Sequence, residues 1–424
     1  MIAQTKRVFA DRKVRRKILF TALIFLIFRV LAHIPVPTVD TQRIQALFLQ
    51  SQLLSWLNIF SGGTLIRFSI AAVGINPYIT ASIIMQLAGM VVPRIKELQK
   101  EGETGQAQVN QYTRLLAVPL AIVQSVSVIA LLRSQNLVSS FNPLSLIAVI
   151  ASLVAGAMII MWLGELVSEY GIGNGISMIM FAGIASQLPT ALAQAVTISR
   201  NQQIFQLIIF GAVFLAVIGL VVFMNEAVRK VNIQYAKRVR GNRVYGGQKT
   251  HLPIRVNVAG VMPIIFALSL MLVPSFLARI FQTMDSQALK MIGERLVLWF
   301  SQTSPIYMIV YFLLVFSFTY FSALVFFNAD DLASELKKSG AFIPGIRPGN
   351  KTKKFLEYVV TRVTFAGAVF LGFIALLPAL AQSLTDVQSL AIGGTSVLIV
   401  VSVILDTAKQ VDSMLVGQNY EKYS

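Results

Sequence analysis

Ten apolar stretches recur between the charges of this 424-residue chain, at 18–33, 76–92, 115–132, 144–163, 175–189, 204–224, 258–277, 306–327, 359–380 and 391–406. A helix needs roughly 20 apolar residues to cross about 30 Å of hydrocarbon. Most of the ten approach that length, and the second and fifth are among the short ones. The expected fold class is therefore an all-α polytopic membrane protein. No cleavable leader is expected: the N-terminus is basic, but His33-Ile34-Pro35 closes the first stretch without a small-residue cleavage site, so it stays as a span.

Charge confirms the class and orients it. Only 13% of residues are charged and 56% are hydrophobic, against about 25% charged in an ordinary soluble protein. This excludes a soluble enzyme, a disordered tail and a fibrous rod. The net charge of +18 would suit nucleic acid on another chain, but not on one this oily. Sorting the 36 Lys and Arg by side of the membrane gives 28 on the side of both termini and seven opposite, with Arg29 inside the first span. By the positive-inside rule both termini are cytoplasmic and the span count is even.

Two cytoplasmic loops, 225–257 and 328–358, are long and densely basic. With the head of the ninth span they hold 15 of the basic residues. They are either solvated loops that set topology or a docking surface for an acidic or ribonucleoprotein partner. In the first, Lys237 to Gly247, including Arg240 and Arg243, reads as a basic strand, a turn and an exposed Tyr245. In the second, Lys337-Lys338 precede Arg347, which sits on a tip bracketed by Pro344-Gly345 and Pro348-Gly349.

Chemistry-bearing residues are sparse. There is no cysteine, and His33 and His251 lie far apart. Glu165, Glu226, Asp330-Asp331 and Asp406 all fall at cytoplasmic span ends, where a carboxylate can stay in water. Asp330-Asp331 resembles half of a metal–diphosphate motif with no second acidic pair. No phosphate loop, nucleophile triad or metal-ligand cluster occurs, so neither catalysis nor a cofactor is expected. An ion-coupled solute transporter built on inverted repeats is the alternative, and the lack of buried acids counts against it.

What the chain offers instead is an interrupted second span. Segment 59–73 is apolar and Gly-laced, and carries Arg67; Asn76-Pro77 interrupts it before a new helix starts at Tyr78. A half-helix there would have to line a cavity within the bundle, facing the outer side, or lie as an interfacial surface helix. In the helix that follows, Ile79 and Ile83 share a face, as a dewetting constriction would require.

Several blocks carry a resemblance over essentially the whole length. They are Gly74-Ile75-Asn76-Pro77-Tyr78-Ile79-Thr80-Ala81-Ser82, Glu101-Gly102-Glu103-Thr104-Gly105 and Gln111-Tyr112-Thr113-Arg114. Further on come Met161-Trp162-Leu163-Gly164-Glu165, Gly171-Ile172-Gly173-Asn174-Gly175-Ile176-Ser177, Thr250-His251-Leu252-Pro253, the run from Lys337 to Gly349, and Gly393-Gly394-Thr395-Ser396. The chain resembles the SecY family, central subunits of bacterial protein-conducting channels. The resemblance implies ten helices in two pseudo-symmetric inverted halves, 1–203 and 204–424, around an hourglass pore.

It implies a plug at 59–73, including Phe60, Ser61, Gly62, Gly63, Thr64, Leu65, Ile66 and Arg67. A ring of Ile79, Ile83, Met180, Ile184, Ile265 and Ile399 would seal the waist. Met180 stands where the family usually has isoleucine, an apolar but softer choice. The resemblance also implies a lateral gate between the second/third and seventh/eighth spans, with Gln86, Gln124 and Asn257 as polar candidates. The basic loops, through Arg240, Arg243, Lys337, Lys338 and Arg347, would dock the SecA motor ATPase and the ribosome. SecE and SecG subunits, signal peptides, nascent chains and the lipid bilayer complete the implied partners, and the bacterial inner membrane the location.

Overall fold

The computed structural model describes residues 11–36, 63–134, 142–187, 204–240, 243–246, 249–258, 260, 262–283, 286–301, 304–385 and 388–421. In chain order its elements are α1 (Arg12–Leu31), α2 (Asn76–Val91), α3 (Pro93–Lys100), α4 (Glu103–Ser134), α5 (Pro143–Tyr170), α6 (Gly175–Ala185) and α7 (Ile204–Glu226). Next come β1 (Val228–Tyr235), β2 (Lys237–Arg240), β3 (Arg243–Gly246) and β4 (Lys249–Arg255). They are followed by α8 (Met262–Thr283), α9 (Gln287–Trp299), α10 (Pro305–Phe326), α11 (Ala329–Lys338), β5 (Ala341–Phe342), α12 (Asn350–Thr385) and α13 (Gln388–Glu421).

Every one of the ten apolar stretches is met by a helix: in order α1, α2, α4, α5, α6, α7, α8, α10, α12 and α13. Among the described residues, Glu103–Ala130, Pro143–Tyr170, Pro305–Ala323 and Asn350–Leu377 are each long and apolar enough to cross a bilayer. Asn76–Val91 and Pro93–Gln99 reach that mark only as a pair, bent by 106°.

Local chemistry sets the helix starts. Asp11 caps α1, accepting from the amides of Lys13 (2.8 Å) and Val14 (3.3 Å), and Asn174 caps α6 through those of Ile176 and Ser177. Asn76-Pro77 begins α2 rather than dividing a longer helix, because proline's fixed φ and missing N–H suit a first helical turn. A β-carbon on Gly175 would overlap the Gly164 carbonyl oxygen, so glycine there lets α6 fold back closely onto α5.

The packing of the span helices repeats. In the first half α1 packs on α5 and α6, α2 on α4, α4 on α5, and α5 on α6. In the second, α7 packs on α12 and α13, α8 on α10, α10 on α12, and α12 on α13. First to fifth and sixth to tenth span thus follow one scheme. Across the halves, α8 meets α2 and α4, while α13 meets α1 and α6.

On the side of the long basic loops the chain forms a small sheet. β1 lies between β4 and β5, antiparallel to both, with Val231 opposite Leu252 and Gln234 opposite Phe342. Beneath it Val231, Ile233, Ile254, Ala329, Leu336, Ala341, Ile343, Leu356 and Val360 form a hydrophobic core separate from that of the helical bundle. The two loops are therefore one folded platform. The basic strand and turn expected at 237–247 form the hairpin β2–β3, which pairs Arg238 with Tyr245 and Arg240 with Arg243.

Candidate functional site

Four helices bring the six expected ring residues into one apolar cluster. Ile79 and Ile83 come from α2, Met180 and Ile184 from α6, Ile265 from α8 and Ile399 from α13. All six are between 1 and 5% exposed. Between Met262 and Leu277 on α8, between Gln388 and Leu405 on α13, and throughout α2 and α6, the sequence has no Asp, Glu, Lys, Arg or His. These stretches therefore bring no charged side chain to the cluster. Met180 is buried in the same cluster as the isoleucines, and its unbranched thioether chain is the more adaptable.

Against this cluster lies the segment expected as a plug. Its first residues, up to Phe60, Ser61 and Gly62, fall outside the described residues; Gly63, Thr64, Leu65, Ile66 and Arg67 are described. From Gly63 to Ile75 the segment is a run of turns rather than the expected half-helix. Thr64 and several of the segment's backbone groups bond locally or to the strand-like tail of the first span, while Ser69 Oγ is buried without a hydrogen-bond partner among the described residues. Thr64 Oγ1 donates to the Ala71 carbonyl (2.8 Å), the Val36 amide to Phe68, and the Ile70 amide to Ile34. Phe68 takes φ of 41° while fully buried, a left-handed conformation costly for an aromatic residue.

Leu65, Phe68, Ala72 and Val73 pack with Val36 against α4 and α5, while Ala71 and Ile75 join the cluster that holds the ring residues. The segment thus lies inside the bundle and is not a surface helix. A β-carbon on Gly156 of α5 would overlap the Ile70 carbonyl oxygen, so that glycine is the seat on which the segment rests. Arg29, in the first span, donates from Nη1 to Ser186 Oγ at the end of α6 (2.9 Å), pairing internally.

Of the docking candidates, Lys337 and Lys338 are exposed in the last turn of α11, and Arg347 is exposed between β5 and α12. The Arg347 turn is held by its own backbone. Gly345 and Gly349 take φ of 82° and 102°, and the Thr352 hydroxyl donates to the Arg347 carbonyl (3.0 Å). Arg240 and Arg243 close the hairpin at its turn. The acidic pair Asp330-Asp331 is structural: Asp330 forms an ion pair with Lys353, and the Asn328 amide group donates to Asp331 while its oxygen caps α11. Glu165 likewise pairs with Arg114 (2.7 Å) and Glu226 with Lys409 (3.0 Å).

The three lateral-gate candidates separate. Gln86 on α2 and Gln124 on α4 are half-buried on helices that both meet α8, and Gln86 Nε2 donates to Ser82 Oγ (3.3 Å). Asn257 behaves differently. It is buried, its Nδ2 donating to Asn225 Oδ1 (2.9 Å) and the Gly260 carbonyl (3.0 Å). Asn225 Nδ2 donates in turn to Ser402 Oγ (3.3 Å), and Lys409 Nζ to the Asn225 carbonyl (2.7 Å). Asn257 therefore belongs to a polar knot joining the ends of the platform to the sixth and tenth spans. Sequence reading missed this knot. Its only local sign is that polar residues flank the spans at 225 and 257.

A family model described as SecY matches residues 69–408. The chain is 42% identical over 428 residues to the protein translocase subunit SecY of Mycobacterium leprae, covering 96% of each. It is 41% identical over 441 residues to that of Streptomyces galbus, covering all of both. Two solved structures share the fold, each covering 94% of this chain and 91% of the other. One is described as a protein-conducting channel (TM-score 0.64, 18% identity) and one concerns the SecY plug domain (TM-score 0.66, 20% identity). A third is Sec61 in the canine ribosome–channel complex, at TM-score 0.59 and 18% identity.

Proposed function

The chain belongs to the SecY family, and from that premise we propose how it works: as the central pore of a protein-conducting channel. It passes unfolded secretory proteins across the membrane and releases membrane-protein helices sideways into the bilayer, driven by SecA or by a translating ribosome. It acts as a conduit and not as an enzyme. The observation that carries the reading is the uncharged cluster of Ile79, Ile83, Met180, Ile184, Ile265 and Ile399, drawn from four helices of both halves. An apolar, deformable waist yields to any side chain of a passing polypeptide while offering ions nothing in exchange for their water.

The rest of the molecule fits this reading. The shared packing scheme of α1–α6 and α7–α13 supports two halves, 1–203 and 204–424, that part at the contacts of α8 with α2 and α4. Segment 59–73 serves as the plug, and Gln86 and Gln124 lie on helices of the lateral gate. The platform, with Arg240, Arg243, Lys337, Lys338 and Arg347, faces the cytoplasm together with both termini and receives SecA or the ribosome. SecE and SecG bind alongside, in the bacterial inner membrane. Against the ion-coupled transporter, Glu165 and Glu226 sit in ion pairs at span ends.

The test is reconstitution in vesicles with SecE, SecG, SecA and ATP, scoring protease protection of a secretory precursor. Protection that requires both ATP and this chain is the expected result; none with all components active would remove the reading.

A further inference from the structure

Between the seventh and eighth spans, α9 carries two apolar faces and the fold uses one. Leu289, Gly293, Leu296 and Val297 recur at helical spacing and turn inward. Gly293 is buried so close to α8 that a β-carbon would sit 2.7 Å from the Ala278 carbonyl oxygen and 3.0 Å from Gln282 Cγ. Met291, Ile292, Leu298 and Trp299 follow the same spacing on another side, together with Ala288 and Arg295. These four are 56, 47, 69 and 48% exposed. Gln287, Lys290 and Glu294 fall on the strip that remains.

We propose that this second face binds the phospholipid bilayer: α9 lies in the membrane interface on the side away from the basic platform. Met291, Ile292, Leu298 and Trp299 enter the acyl boundary, and Arg295 reaches a headgroup phosphate. The proposal rests on the channel reading above, which places α8 and α10 across the membrane.

Three observations select lipid as the occupant. First, α9 starts four residues after α8 ends and finishes six before α10 begins, so both of its ends are tied to membrane-spanning helices. Second, both neighbouring helices also expose apolar side chains: Val273 and Leu277 on α8, and Ile306, Ile309 and Leu313 on α10. Third, the one charge in the stripe is a cation on a long apolar stem, which can lie along the chains and still meet phosphate. A tryptophan ring at the helix end suits the same depth. Left in water, four large side chains side by side would be an unusual cost. The consequence is mechanical: Gly293 locks α9 to α8, and α8 borders α2 and α4, so the bilayer itself holds one end of the seam between the halves.

The chain's three tryptophans make the test direct. Replacing Trp56 and Trp162 with Phe leaves Trp299 alone. Replacing Trp56 and Trp299 leaves Trp162, which is 59% exposed on the fourth span, as the reference. Each variant is purified with its co-purifying subunits, their tryptophans also changed to Phe. Both go into phosphatidylcholine/phosphatidylglycerol vesicles whose acyl chains carry bromine near the headgroup or near the methyl end.

The expected result is bromolipid quenching of Trp299 comparable to that of Trp162 and stronger with the shallow bromine, together with poor access to acrylamide. Quenching of Trp299 by acrylamide and not by bromolipid, with Trp162 still quenched by lipid, would place the face in water and overturn the proposal. Protection from both quenchers would assign the face to a protein subunit and overturn it equally. Failure of Trp162 as well would instead strike the membrane placement of the chain.

Discussion

Ile399 and Gly156 make opposite demands on their neighbours: one has to be apolar, and the other has to be no side chain at all. Ile399 is buried in the same apolar cluster as the other five residues proposed to seal the waist. An amide placed there finds no partner, at a cost of roughly 1–3 kcal/mol, and recovers that cost by drawing in water. Ile399→Asn, and Ile83→Asn on the facing half, should therefore raise resting ion conductance in planar bilayers while precursor transport persists; unchanged conductance would remove the ring assignment. Gly156→Ala acts on the seal from the other side. The added methyl meets the Ile70 carbonyl, and overpacking of this kind costs about 1–3 kcal/mol, which the turn segment relieves by shifting. Its expected signature is a raised leak without loss of transport, read in the same bilayers. The two residues differ in legibility. Ile79 and Ile83 show a shared face, but so does any core helix, and only the resemblance singled out all six. Gly156 is one of 27 glycines, and its meaning depends on a carbonyl more than eighty positions earlier in the chain.

At the scale of elements, the clearest gain over the sequence is the platform. The first strand and the turn of the hairpin at 237–246 were legible because they are local, whereas its second strand was not expected. The sheet that unites the two loops was not legible, since Gln234 pairs with Phe342 and no periodicity in either loop announces a partner so distant. The plug segment failed as a half-helix for a related reason: beside its local turns, two of its backbone hydrogen bonds are made with Ile34 and Val36, outside any window that sees helical spacing. The platform core predicts a separable phenotype. Leu356 is fully buried there, and Leu356→Ala should cost about 2–5 kcal/mol of local stability. Backbone amides of 228–255 should exchange faster with deuterium, and SecA-driven translocation should fall. Resting conductance should stay at its wild-type value, because none of the six ring residues lies in that core. A leak in this variant would show that platform and seal are one unit.

For the whole molecule, the expected orientation rests on the count of Lys and Arg on each side of the membrane rather than on any fold detail. That count also left 15 basic residues in and beside two loops, and the fold gives them a surface. Lys337 and Lys338 are exposed at the C-terminal end of α11, where cations suit the helix dipole. Their placement has a local explanation that needs no partner. Arg347 has none: it is exposed on a turn braced by two left-handed glycines and by Thr352. A guanidinium presented this way can grip a phosphate through two parallel hydrogen bonds, which an ammonium cannot reproduce. If ribosomal RNA is what it meets, Arg347→Glu should weaken ribosome binding and flatten its dependence on salt by about one unit of log–log slope. Arg347→Lys should keep the slope, since the charge remains, and lose affinity through the missing second hydrogen bond. Binding isotherms over a salt series separate the two effects. A loss of SecA-driven transport in both variants, with ribosome affinity and slope untouched, would assign the residue to the motor instead of the ribosome.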